Sequence, residues 1–222
     1  MSPVSANKKS CVVFDLGGVM IRLARGWEEA ATYAGVPYRQ FTGSSDTLAE
    51  LAHLEEHYSI GAIAPDQFFA TVSQVVDGLY APNEFRAIYQ ATIQEEFPGI
   101  YEMVQRIKHA GLMTACLSNT CASHWIDLTD PQKYPAISSL DIRHASHLFG
   151  VAKPDQTIFK KFQQATQTMP EQIVFFDDCH ENILAASDCG WDAIEITKQW
   201  PSVDQIEEAL RSRGILQPQH CG

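Results

Sequence analysis

The sequence is short of positive charge, and it lacks paired cysteines, long apolar runs and internal repeats. Each absence removes a class of protein. Only 16 lysines and arginines stand against 27 aspartates and glutamates in 222 residues, a net charge of −11. A surface of that sign repels nucleic acid and anionic lipid, so neither is an expected partner. No stretch approaches the length of a membrane span, and the apolar run opening at Cys11 is broken by Asp15 too soon to be a signal peptide. The cysteines Cys11, Cys116, Cys121, Cys179, Cys189 and Cys221 form no C-x-x-C pair, and Cys11 and Cys116 sit inside apolar runs. Free thiols in a reducing compartment are therefore expected, in an acidic, soluble protein of the cytoplasm. Cys179 stands beside two carboxylates, a poor setting for a thiolate nucleophile.

What is present is a repeated local plan. Cys11-Val12-Val13-Phe14 runs into Asp15 and the pair Gly17-Gly18. Leu112 to Leu117 stops at Ser118-Asn119-Thr120, and Ile173-Val174-Phe175-Phe176 stops at Asp177-Asp178. Ala193 to Ile196 is a shorter run of the same kind. Apolar runs of four to six residues without alternation suit parallel strands buried on both faces. Helical spacing fills the gaps at Ile100 to His109, Asp155 to Thr168, Glu181 to Cys189 and Val203 to Arg211. Strands alternating with helices predict an α/β fold with a doubly wound parallel sheet. Such sheets keep their sites at the carboxyl ends of the strands, where these polar residues fall.

Residues 22–96 read differently. Helical stretches are expected at Thr47 to His57, Pro65 to Val76 and Asn83 to Glu95, and no strand stands out. The expected organisation is a core of residues 1–21 and 97–222, with 22–96 as a helical insert able to act as a lid. The polar tail from Gln217 is expected to fray.

Four strand-end clusters, Asp15, Ser118 with Asn119, Lys153-Pro154, and Asp177-Asp178 followed by Asn182-Ile183, are each common alone. Their order and spacing together resemble the four motifs of the haloacid dehalogenase-like (HAD) hydrolase superfamily, from about Cys11 to Ile196. The insert is similar to that superfamily's C1-type cap. The Leu-Gly-Gly-Val, Leu-Ser-Asn-Thr and Phe-Phe-Asp-Asp phrases resemble small bacterial phosphatases acting on glucose 1-phosphate. The resemblance implies a Rossmann-like core and a Mg²⁺-dependent phosphomonoester hydrolase acting on a small phosphorylated metabolite. It implies that Asp15 attacks phosphorus and carries the phosphoryl group. It assigns Mg²⁺ to Asp15, the Gly17 carbonyl and Asp178, with Asp177 nearby or through water. It assigns the phosphate to Ser118, Asn119 and Lys153, whose compact positive charge also serves the nucleophile.

One position departs from the pattern. Most phosphatases of the superfamily carry an aspartate two residues after the nucleophile, to protonate the leaving alcohol and activate water. Here that residue is Gly17. General acid–base help is worth about 10²–10⁴ in rate. A leaving group that needs little help, such as an anomeric phosphate, is the expectation. Other donors to consider are His53, His57, His124 and His180. Trp125, just past the second motif, is expected near the site mouth, whereas Trp27, Tyr33, Phe41, Tyr58, Phe68 and Phe69 are expected in the insert's own core. Two other readings remain at this level. One is a 2-haloacid dehalogenase, in which the same aspartate attacks carbon. The other is a weakly active or non-catalytic binding protein, supported only by Gly17. Phosphoryl transfer to an acceptor other than water is also open.

Overall fold

The computed structural model of the chain describes residues 9–197 and 201–217. Within them the elements run β1 (Cys11–Phe14), β2 (Ile21–Leu23), α1 (Trp27–Ala34), α2 (Ser45–Ser59), α3 (Pro65–Val75), α4 (Pro82–Gln90) and β3 (Ile93–Glu96). They continue as α5 (Ile100–His109), β4 (Met113–Ser118), α6 (Ala122–Leu128), α7 (Pro135–Ser138), β5 (Ile142–Ala145), α8 (Ser146–Phe149) and α9 (Gln156–Thr166). The chain closes with β6 (Ile173–Asp177), α10 (His180–Asp188), β7 (Asp192–Glu195) and α11 (Ser202–Ser212).

Five strands form one parallel sheet in the order β5-β4-β1-β6-β7. β1 is central, and every one of its side chains is fully buried, which explains its unbroken apolar run. Its residues alternate between the two faces. Val12 and Phe14 join Cys116, Val174 and Phe176 under Met103 and Ile107 of α5 and Ile206 and Leu210 of α11. Cys11 and Val13 join Ala115, Leu117 and Phe175 under α9 and α10. The chain moves outward from β1 through β4 to β5, then returns to β6 on the other side of β1. That reversal opens a crevice at the carboxyl ends of β4, β1 and β6.

The α/β reading of the sequence holds, with strand and helix boundaries shifted by one or two residues. The region 22–96 needs correction. It contains most of a two-stranded antiparallel sheet, β2 against β3, so the helix expected to reach Glu95 stops at Gln90. Arg22 holds this short ribbon by bonding Glu95 and Gln94 across it, a polar pairing with no apolar signature. α1 and β5 also went unsignalled. α2, α3 and α4 pack on an aromatic cluster of their own, including Tyr58, Phe68, Phe69, Val72 and Tyr89, separate from both sheet faces.

Among the described residues no helix is long and apolar enough to cross a membrane, and all five described cysteines are free. The tail beyond Gln217, Cys221 included, lies outside the described residues.

Candidate active site

Three adjacent strand ends deliver the site. The register pairs Phe14 with both Cys116 and Phe176, so the residues just beyond converge. Asp15 follows β1, and its amide donates to the Phe176 carbonyl at 2.8 Å. Ser118 and Asp177 are the last residues of β4 and β6. After Asp15 the backbone curls round the Leu16 carbonyl, which accepts from Val19, Met20 and Ile21. Gly18 makes that curl possible: its φ is +72°, and a Cβ there would lie 2.3 Å from Asp178 Oδ2.

Lys153 enters from the loop between α8 and α9, held by an exchange with Asn119. The Lys153 amide donates to Asn119 Oδ1 at 2.8 Å, and Asn119 Nδ2 donates to the Lys153 carbonyl at 2.7 Å. The ammonium then bridges Asp15 Oδ1 at 2.9 Å and Asp177 Oδ2 at 2.6 Å. Asp177 is fully buried and also accepts from the Asn182 amide and the Cys179 backbone N–H. Its contacts aim Lys153. Burial opposes the charge on Lys153, but Asp15 and Asp177 outweigh it and hold the ammonium above the ordinary lysine value. Burial pushes the Asp15 carboxyl up, Lys153 pulls it down and Asp177 pushes it up again, for a net rise.

Asp15, Asp177 and Asp178 each offer a carboxylate oxygen within 4.8 Å of the others. Three carboxylates this close repel one another, and their hard oxygen donors fit a divalent cation of the Mg²⁺ type. Gly17 lies in the loop beneath, on the wall of the same cavity.

That cavity measures about 500 Å³. Asp15, Gly17, Ser118, Asn119 and Asp178 line it from the strand ends, and Trp27, Glu55, Ser59, Tyr89 and His124 line it from helices. Lys153 and Asp177 stand behind Asp15 rather than on the wall. Of the four histidines considered as donors, His124 alone reaches the cavity, with Nε2 2.8 Å from the Tyr89 carbonyl. Burial works against its charge, but contact with Cys121 outweighs this and raises its pKa; burial likewise opposes the Cys121 thiolate, yet His124 lowers that thiol's pKa. His53 and His57 cluster with Glu56 elsewhere on α2, away from the cavity wall, and His180 pairs with Glu195 at 2.8 Å in solvent. Trp125 is not on the cavity wall. It packs against the sheet core and, edge-on, against His147. Trp27, expected in the insert's core, lines the cavity instead.

Sequence reasoning missed several wall residues, Ser59, Tyr89, Glu55 and Leu23 among them. Glu55 has its carboxyl pushed up by burial, with His124 pulling it down. Leu23 borders Gly17, its Cδ1 3.0 Å from where a Cβ at that position would lie. Neither carried a signal: Glu55 and Glu56 are adjacent, and only the packing of α2 separates them.

The family model for haloacid dehalogenase-like hydrolases matches residues 9–190. The chain belongs to this family. Among curated relatives, the mouse (Mus musculus) acyl-CoA dehydrogenase family member 10 is 24 % identical over 211 residues. The match covers 90 % of this chain but 19 % of that protein, so the chain spans about a fifth of the relative's length. A HAD family enzyme from Bacteroides thetaiotaomicron superposes with a TM-score of 0.76 at 18 % identity, covering 90 % of this chain and 98 % of the other. That enzyme has also been crystallised with magnesium and inorganic phosphate. An L-2-haloacid dehalogenase from Xanthobacter autotrophicus, with chloropropionic acid covalently bound, superposes with a TM-score of 0.61 at 16 % identity, covering 94 % of this chain and 85 % of the other. At these identities the superpositions speak for the HAD fold. The chemistry of this HAD hydrolase has to be argued from its own site.

Proposed function

We propose that this HAD hydrolase cleaves phosphate monoesters of small metabolites through an aspartyl-phosphate on Asp15. The observation that carries the reading is the buried Lys153 ammonium bridging Asp15 and Asp177, with Asp178 beside them. Lys153 holds Asp15 Oδ1, which directs the second carboxylate oxygen at phosphorus. A bond forms between Asp15 and phosphorus, and the bond from phosphorus to the alcohol oxygen breaks. Water then cleaves the aspartyl-phosphate, releasing inorganic phosphate and restoring the carboxylate. Ser118 and the Asn119 backbone amide bind phosphoryl oxygens, and Lys153 supplies the fixed positive charge. Asp15, the Gly17 carbonyl and Asp178 would hold Mg²⁺, which screens the phosphate from the attacking carboxylate when bound. Asp177, occupied by Lys153 and Asn182, acts as a positioning residue for Lys153 rather than as a direct ligand.

Residues 22–96 serve as the cap in this reading. Supporting that, α1, α2 and α4 send Trp27, Glu55, Ser59 and Tyr89 to a cavity that ends on Asp15. Because Gly17 offers no acid, the favoured substrates are esters whose alcohol departs easily. The phrases shared with glucose 1-phosphate phosphatases make sugar 1-phosphates one arm of the test. The free cysteines support a reducing compartment such as the cytoplasm.

The test is phosphate release from sugar, nucleotide, aryl and acyl phosphates, with Mg²⁺ and with chelator. Turnover that chelator abolishes is expected, with radiolabelled phosphate trapped on the wild type and absent from Asp15→Asn. Chelator-insensitive halide release from 2-chloropropionate, without phosphate release, would instead establish the dehalogenase reading. No turnover and no trapped phosphate across the panel would leave a binding protein.

A further inference from the structure

A second cavity of about 400 Å³ adjoins the first and shares Trp27, Glu55 and Tyr89 with it. It lies among α2, α3, α4 and the connection before α2. Leu51, Phe68, Val72, Val76, Tyr80 and Phe85 are among its walls. Its charged side chains are two. Arg39 pairs with Glu84 through both guanidinium nitrogens, at 3.1 and 3.0 Å, donates to the Leu79 carbonyl and lies over the Tyr80 ring. Glu55 sits at the junction of the two cavities. No uncommitted cation is there to receive an anion, so a phosphate belongs at the Lys153 end.

A second, independent observation is the rim. Phe68 and Val72 at the floor are almost fully buried, yet Trp27, Tyr38 and Leu48 on the same cavity are 46 %, 45 % and 54 % exposed. Large apolar side chains held open round a concave apolar wall mark a ligand site. The first cavity continues the character. Leu16, Ile21, Leu23, Ile93 and Leu128 line it between Asp15 and the insert. The end of Leu23 borders Gly17, 3.0 Å from where a Cβ would be. An apolar leaving group needs no hydroxyl partners along that wall.

Building on the phosphatase reading of Asp15, we propose that the adjoining cavity takes an apolar tail of the substrate, so that among phosphate monoesters of similar leaving-group ability those with longer alkyl or larger aryl groups are preferred. The phosphate lies against Asp15 and Ser118, Trp27 and Tyr89 flank the passage, and the tail displaces water from the aromatic wall.

The experiment is a chain-length series, ethyl to decyl phosphate, with phenyl and naphthyl phosphates as the aryl arm. Glucose 1-phosphate and glycerol phosphate form the polar arm. With Mg²⁺ present, kcat/KM should rise about fourfold per added methylene until the cavity is full, mostly through KM. Ala52→Trp, which adds bulk to the wall, should make the rise level off at a shorter chain. Leu48→Glu at the rim should lower kcat/KM for the long esters about tenfold. Polar phosphates turned over with no dependence on chain length would overturn the subsite and leave the phosphatase reading standing. If no ester is hydrolysed, that reading fails. The subsite is then judged by calorimetry with alkylphosphonates, where a Kd falling with chain length supports it and a flat Kd overturns it.

Discussion

Gly17 and Gly18 are neighbours with opposite tolerances. Gly18 sits at φ +72°, and a Cβ there would meet the Asp178 carboxylate at 2.3 Å. Gly18→Ala should cost about 1–2 kcal/mol in stability and displace Asp178. The check is a urea melt together with Mg²⁺-dependent turnover, and both should fall. Gly17 has no left-handed backbone, and its Cβ would press only on the end of Leu23, a flexible side chain 45 % exposed. Gly17→Asp should therefore fold. It should raise turnover of alkyl phosphates by up to about 10² and of aryl phosphates much less, because only the alkyl alcohol needs a proton on leaving. Equal effects on the two ester classes would refute the account of the missing acid.

Ser146 is one of several side chains that join residues 22–96 to the rest of the chain, beside Tyr58 with Ser123 and His124 with the Tyr89 carbonyl. Ser146, at the start of α8, donates to the Ser59 carbonyl at the end of α2, lies 3.2 Å from the Thr120 carbonyl, and accepts from the Thr120 amide at 3.0 Å. Ser59 lines the active cavity, and Thr120 follows the Ser118-Asn119 pair. Ser146→Ala leaves those groups without their partner in a fully buried place, so a loss of about 1–3 kcal/mol is expected in chemical denaturation. Faster hydrogen exchange at the end of α2 should accompany it. How far such elements can be read from sequence depends on their signals. β1, β4 and β6 are buried on both faces, so apolar runs ending in polar residues announce them and the site together. β5, Ile142-Arg143-His144-Ala145, pairs on one side only and keeps polar residues, so it looks like a loop. The β2–β3 ribbon is held by Arg22 and its partners rather than by apolar alternation. α1 starts at Gly26, which offers no capping side chain. Glu55 and Leu23 depend on how α2 and β2 dock, which no local pattern encodes.

At the scale of the whole molecule, Asp192 ties the edge of the sheet to both ends of the described chain. Arg213 reaches it through two nitrogens at 2.8 and 2.7 Å, and Lys9 lies 3.2 Å away while also bonding the Glu171 and Ile173 carbonyls. The Arg213 bond lowers the Asp192 pKa, burial opposes it, and Lys9 adds to the lowering. A carboxyl lowered on folding stabilises the native state above its unfolded value near 4, and the benefit is lost as pH falls through its folded value. Asp192→Asn should cost about 1 kcal/mol at pH 7 and progressively less as pH falls below about 4, measured as urea midpoints; a loss independent of pH would refute the linkage.

The bridge that Lys153 makes has a consequence for assembly. It joins the ends of β1 and β6 directly, and Asn119 ties the end of β4 to the same loop. Because side chains alternate along a strand, a one-residue slip of β6 would turn Asp177 to the opposite face and leave the ammonium half unpaired. The site therefore acts as a gauge of sheet register. On the proposed mechanism, catalysis can begin only after the three central strands have met in one alignment, so a misaligned, compact intermediate would be silent in an activity assay rather than weakly active.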